Sequence, residues 1–336
     1  TNARASANFT PTQAGAPAYP AILSAGAGAQ PNLAWTVDPD FRVARAWQNN
    51  VQFERQLFDN YSVSVVAASL KKKNLPVVTN INLINPINST PSGIPIFSTA
   101  VSAITRVDPR YNAINATQSI GDSTYKNMTL QLTRRSPTFG FDLAYTLGKS
   151  EDNAPITNAL SVQGDAGRTD VTNLDRDLGP NILDQRHTFS GSIVSTPRFD
   201  REGAMGTLLN DNVFGIALQF ASGIPVNLRT VTEINADATA SDRPDGVGRN
   251  SLNLPARYNV DFRYSRRFRI RGNTAAEIIG EVKNIFNTVQ ISGVNANVAT
   301  NAFGVPTGTL PTSVDQLVPT GGYEQRQFQL GFKFHF

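Results

Sequence analysis

Cysteine is absent from this 336-residue sequence, which removes disulfide scaffolds, thiol nucleophiles and thiolate-ligated metals together. Charge is scarce as well: Asp, Glu, Lys and Arg make up 17% of the chain, against about 25% in an ordinary soluble domain. Hydrophobic residues reach 40%, yet they never gather into the run of about 20 that a membrane helix needs. A helical membrane protein is excluded. No segment shows the apolar stripe of an amphipathic helix. The apolar residues are interleaved with Asn, Ser, Thr and Gly, and the mean hydropathy is −0.24, the average expected of a barrel with one lipid face and one wet face. The opening segment from Thr1 lacks the charged start, apolar centre and cleavage site of a signal peptide, and the expectation is a piece of a longer chain.

Basic residues exceed acidic ones by 30 to 26, and the pI is about 9.4. They are spread along the chain rather than clustered, so nucleic acid is not expected as a partner. The longest cationic run, Lys71-Lys72-Lys73, reads as the solvated end of a strand.

The strongest pattern lies at the C-terminus. Phe328, Leu330, Phe332, Phe334 and Phe336 alternate with Gln327, Gln329, Gly331, Lys333 and His335. Successive side chains of a strand point to opposite faces, so one face here is aromatic and the other polar or small. Residues 258 to 270 repeat the pattern, with Tyr258, Val260, Phe262, Tyr264, Phe268 and Ile270 opposed to Asn259, Asp261, Arg263, Ser265, Arg267 and Arg269; Arg266 breaks it. This run exceeds the ordinary strand of about 5 or 6 residues and suits a tilted membrane strand of about 9 to 11. Arg271-Gly272-Asn273 predicts a tight turn into a partner strand at 275–286. Phe139, Phe141, Leu143, Tyr145 and Leu147 form another aromatic face, joined through Ser136-Pro137 to Met128, Leu130 and Leu132. Further strands are expected at 42–57, 60–70, 110–120, 186–196 and 212–221.

The connections fall into two sizes. Tight turns such as Asp59-Asn60 contrast with long Gly, Asn, Asp and Pro-rich stretches at 150–185, 222–255 and 287–323. Long structureless loops are uncommon in compact soluble domains, whereas outer-membrane barrels pair short periplasmic turns with long extracellular loops. Counting back from the C-terminus puts the 73–109 segment at the short-turn end. One further strand near Leu75 to Leu83, with Pro76 at its start, repairs the count to about ten or eleven. The fold class expected is therefore all-β, an antiparallel transmembrane barrel segment with 1–41 as a leading loop and 42–336 as barrel.

These pieces resemble the TonB-dependent receptors, especially their Oar-like branch. The resemblance runs from about Trp47 onward and rests on Tyr145-Thr-Leu-Gly-Lys-Ser150, Asp184-Gln-Arg-His187, Ser222-Gly-Ile-Pro225, Asp242-Arg-Pro244, Gly248-Arg-Asn250, Asn284-Ile-Phe-Asn287 and the closing Arg326 to Phe336. It implies the C-terminal half of a barrel of about 22 strands, with a plug and a TonB-coupling segment that belong N-terminal to this sequence. It also implies outer-membrane lipid, the barrel assembly machinery, the TonB complex and a transported small molecule or oligosaccharide as partners, and no cofactor.

Each candidate site has a plainer competitor. The C-terminal strand, Phe328, Leu330, Phe332, Phe334 and Phe336, resembles the signal read by the assembly machinery. A soluble edge strand with that face invites aggregation. Asp184, Arg186 and His187 have the chemistry of an acid, an anion clamp and a base, but no nucleophile elbow accompanies them, and in the family they form a strand-start motif. Catalysis is not expected. Glu151, Asp152, Asp165, Asp170, Asp175 and Asp177 crowd one loop without the spacing of an EF-hand, so solvated loop charge is expected and no metal. Asp261, Arg263, Arg267, Arg269, Glu277, Glu281 and Lys283 fall on the polar face and are expected to line a lumen, either along a substrate path or bonded to a plug. His335 shares that face. The Ser24 to Ala29 run lacks the Lys of a phosphate loop.

Two other functions fit a β-rich chain: a self-contained passive porin, and a soluble β-sandwich for adhesion or carbohydrate binding. The aromatic C-terminal strand weighs against the sandwich.

Overall fold

The computed structural model describes residues 32–58, 60–155, 168–201, 203–238, 242–272, 274–323 and 325–336. Most of the 1–41 segment, with the Ser24 to Ala29 run, and Asp59, Asp165 and Asn273 lie outside them. Strand β1 (Asn32–Val37) precedes nine longer strands: β2 (Arg45–Phe58), β3 (Tyr61–Asn80), β4 (Tyr111–Arg134), β5 (Phe139–Asp152), β6 (His187–Ser195), β7 (Asn212–Ala221), β8 (Arg257–Arg271), β9 (Thr274–Lys283) and β10 (Gln327–His335). The nine form an antiparallel meander in strict chain order, with β2 and β10 at its two edges. β1 joins in parallel alongside β4, Leu33 opposite Ala113 and Val37 opposite Thr117, and a two-residue bridge at Gly179–Pro180 pairs with β5. The segment expected to be a leading loop thus contains one strand.

The register produces two faces. Phe332 pairs with Ile278, Ile278 with Arg266, Phe262 with Ile216, Ile216 with Ile193, Ile193 with Phe141, Leu143 with Leu132, and Leu132 with Val63. Residues directly opposite in neighbouring strands project to the same side, so the aromatic stripes seen strand by strand in the sequence fuse into one apolar face. Arg266 sits on that face near the β8–β9 turn, with its guanidinium 5.0 Å from the Phe268 ring and donating to the Leu208 carbonyl. The opposite face carries Glu281 beside Arg263 and Gln329, Glu277 beside Arg267 and Lys333, and Asp142 beside Thr133 and Ser192.

Two expectations are corrected here. Residues 110–120 and 128–132 are not separate strands but parts of β4, and 75–80 is not a further strand but the continuation of β3. Pro76 fails to interrupt β3 because it falls inside an irregularity, where the partner of Leu75 is Gly121 and that of Val77 is Gln118. The ladder there does not need its missing N–H. Lys71-Lys72-Lys73 consequently lies within a strand, where Lys73 pairs with Asp122. Gly121 is required at the irregularity: a Cβ there would lie 2.7 Å from that of Ala154.

With β3 and β4 continuous, the connections sort cleanly. One end of the sheet has the β2–β3, β4–β5 and β8–β9 turns, the last with Gly272 at φ +58. The β6–β7 connection at that end is longer and includes the short helix α1 (Gly203–Leu209). The other end has four long loops, 81–110, 153–186, 222–256 and 284–326.

Candidate functional site

The four loops, three of them expected as long irregular stretches, are packed against one another. Val226, Leu228, Leu252 and Leu254 of one loop bury themselves with Val294, Ala296, Val298 and Val314 of the last. Between the first three loops the contacts are polar and buried. Asn80 donates to the Asp237 carbonyl, Phe97 N to the Asn235 carbonyl, and Asn235 Nδ2 to the Thr169 carbonyl. Asn82 clamps its own loop by donating to the Asp108 and Tyr111 carbonyls at 3.0 and 2.8 Å.

Three acids of the stretch flagged in the sequence are buried rather than solvated. Asp152, Asp170 and Asp177 are buried, as are Arg168, Arg243 and Arg249. Arg249 pairs with Asp152, Arg243 meets Asp177 at 2.8 Å, Arg176 meets Asp170 at 2.9 Å, and Arg168 stands 3.8 Å from Asp177. Burial pushes the Asp177 carboxyl above its ordinary range against the pull of Arg243, and burial lowers the Arg168 guanidinium against the pull of Asp177. Glu151 instead pairs with Lys149 near the surface, and Asp175 lies in the short helical turn capped by Asn173.

A second acidic group, unremarked in the sequence, lies in the 222–256 loop. One oxygen from each of Glu233, Asp237 and Asp242 falls within 4.8 Å of the others. Burial, and then repulsion from Asp237, pushes Asp242 up to about 8. Desolvation followed by repulsion from Asp237 and Asp242 moves Glu233 to about 8. Glu233, Ile234, Ala236 and Ala238 also line a cavity of about 540 Å³, which Phe97 and the buried Arg106 close from the 81–110 loop. The alternation of oxygen-bearing residues at 233, 235 and 237 is the sequence signal that could have revealed this group.

Asp184, Arg186 and His187 form a brace at the start of β6. Asp184 Oδ1 accepts from Ser150 N at 2.6 Å, and its Oδ2 lies 3.9 Å from Arg186. The His187 ring stacks on Tyr145 and shares a 2.7 Å hydrogen bond with its hydroxyl through Nδ1. Ser222 Oγ accepts from His187 N rather than meeting the ring. The three residues thus tie β5, β6 and the end of β7 together, and among the described residues no serine hydroxyl bonds the His187 ring.

Asp261, Arg263, Arg267, Arg269, Glu277, Glu281 and Lys283 all share the polar face of β8 and β9. Arg263 meets Glu281 at 2.9 Å, and His335 of β10 lies 3.4 Å from Glu277. Phe328, Leu330, Phe332, Phe334 and Phe336 are exposed at the β10 edge, Phe336 at 97%.

A family model described as "Outer membrane beta barrel domain" matches residues 1–248 of the 336. No curated protein matches the chain. Among solved structures it is similar to the outer membrane transporter YddB from Escherichia coli, with TM-score 0.52 and 10% identity over 90% of this chain and 34% of that one. The FrpB iron transporter from Neisseria meningitidis (F3-3 variant) gives TM-score 0.46 and 12% identity over 90% and 32%. The ferric-catecholate import receptor Fiu from K12 E. coli, closed form, gives 0.44 and 13% over 89% and 29%. The chain spans about a third of the length of these proteins.

Proposed function

The chain belongs to the outer membrane β-barrel domain family and lies in the bacterial outer membrane, and from that premise we propose that it is the C-terminal wall of an Oar-like, TonB-dependent receptor that binds and imports a solute. Residues 42–336 then form wall and loops, with 1–41 leading in. The observation that carries this reading is the meander itself: nine consecutive strands with one apolar face, one polar face and their long connections at one end. In lipid every backbone donor and acceptor must be paired, so a spanning sheet has to close. Here β2 and β10 are free edges, which supports a barrel completed by further strands.

In that barrel the apolar face meets lipid, and Asp261, Arg263, Arg267, Arg269, Glu277, Glu281 and Lys283 line the lumen. The packed loops form the extracellular mouth that receives the solute, a small molecule or oligosaccharide. The β10 aromatics, ending at Phe336, present the strand to the assembly machinery. Import draws on TonB through a plug encoded upstream, and no reaction is catalysed.

The similarity of fold to YddB, which exceeds this chain about threefold in length, supports the receptor reading over a small passive porin. The mass of the mature protein extracted from outer membranes tests it. A receptor gives a mass near three times 36.3 kDa, with a plug-like domain upstream; a mature protein of 36.3 kDa would establish the small porin instead.

A further inference from the structure

Glu233, Asp237 and Asp242 place three carboxylates together where the 222–256 loop meets the 81–110 loop. Asp237 and Asp242 are wholly buried. Buried acids remain charged only when a counter-charge or a bound cation compensates the lost hydration. The neighbouring arginines make their hydrogen bonds and ion pairs elsewhere, although Arg243 and Arg168 still pull through space on Asp242 and Asp237. Arg243 holds Asp177, Arg168 reaches Asp177 and the Asp170 carbonyl, and Arg106 donates to the carbonyls of Ser98, Thr105 and Asn112. Among the described residues neither Glu233 nor Asp242 forms an ion pair.

A separate feature shows what is missing. Asp242 Oδ2 accepts from Ile234 N at 2.8 Å, but Asp242 Oδ1 is buried with no hydrogen-bond partner. A desolvated carboxylate oxygen with no donor needs an explanation, and hydrogen bonding within the loop does not provide it.

The geometry points to a binding site for a hard divalent cation of calcium's size, held by the carboxylates of Glu233, Asp237 and Asp242. Oxygens sharing one Ca²⁺ at 2.3–2.6 Å stand at most about 5 Å apart, whereas the 2.0–2.1 Å shell of Mg²⁺ allows about 4.2 Å. The three oxygens lie within 4.8 Å of one another, inside the calcium limit. Three carboxylates can supply between three and six of the 6–8 oxygens that calcium takes, and the adjoining cavity admits water for the rest. The set contains no imidazole or thiolate, which disfavours zinc and copper. Asp237 N donates to Glu233 Oε1 at 2.9 Å and to Asn235 Oδ1 at 3.2 Å, so the ligands are already drawn into one turn. The bound ion would fasten this loop to the first one through the Asn80–Asp237 and Phe97–Asn235 bonds.

Calorimetric titration tests the site directly. The full protein, solubilised in detergent and stripped with EDTA, is titrated with CaCl₂ and separately with MgCl₂. One calcium per chain is expected, with magnesium binding at least about tenfold more weakly. Glu233→Gln and Asp242→Asn should each weaken calcium about tenfold or more, while Asp315→Asn, in the last loop and outside the cluster, should not. Glu233→Gln retains the oxygen that accepts from Asp237 N, so this variant keeps the loop folded even if Asp242→Asn does not. An absence of calcium binding in the wild type, or wild-type affinity in Glu233→Gln, would overturn the site. Binding is read without transport, so its failure would leave the receptor reading untouched.

Discussion

At the scale of single residues, the paired charges of the loops are the features with the largest energetic consequence. Asp177 is fully buried and contacts two buried guanidiniums, Arg243 and Arg168. Removing one partner of such a group strands the others without hydration, at a cost of about 3–5 kcal/mol. Asp177→Ala should therefore open the loops: limited proteolysis should cut 153–186 and 222–256 at least tenfold faster, while the strands stay protected. Unchanged cleavage would mean that the network contributes little. The sequence showed the acids of this stretch but not their fate. Two of their partners are far away along the chain, Arg243 and Arg249 being separated from Asp177 and Asp152 by 66 and 97 residues. Both arginines were visible only as fragments of the Asp242-Arg-Pro244 and Gly248-Arg-Asn250 resemblance.

At the scale of the strand, period two was legible wherever one face is uniformly apolar. β5, β8 and β10 fall where the alternation put them, and the register unites their aromatic stripes. The length of β3 and β4 is not legible in the sequence because their outer halves, beyond Lys71 and before Tyr125, lose the alternation. Pro76 and Gly121 then look like ends, although together they form one irregularity within the pair. The loops were the least legible elements. Their Gly, Asn and Pro content signals turns, but the core of Val226, Leu228, Leu252 and Leu254 is dispersed among them without a period. Alternation makes a sharp prediction for neighbours in β9. Ile278 lies on the apolar face opposite Phe332, and Ile279 on the polar face opposite Gly331. Arginine on a lipid face near the bilayer midplane costs roughly 2–4 kcal/mol, so Ile278→Arg should lower folding stability in a lipid titration with denaturant by about that amount. Ile279→Arg should change it by less than about 1 kcal/mol. Equal costs would mean that the two faces do not meet different solvents.

At the scale of the whole molecule, the parts agree on one architecture: a curtain of antiparallel strands, apolar on one side and charged on the other, with its long loops tied into a packed body at one end. The loop body is held by buried ion pairs and an apolar core, so it is a packed unit rather than a set of loose connections. The central claim is that the sheet separates lipid from water. The absence of cysteine makes the decisive measurement clean: single cysteines introduced along β5, β8 and β10, spin-labelled, with the protein in lipid bilayers. The account predicts that labels at 143, 145, 262, 330 and 332 are accessible to oxygen, which partitions into lipid. Labels at 142, 144, 263, 329 and 331 should be accessible to a water-soluble nickel chelate, so that the preference flips at every step along the strand. Loss of that two-residue alternation, or water exposure on both faces, would contradict a membrane barrel and return the sheet to an aqueous setting.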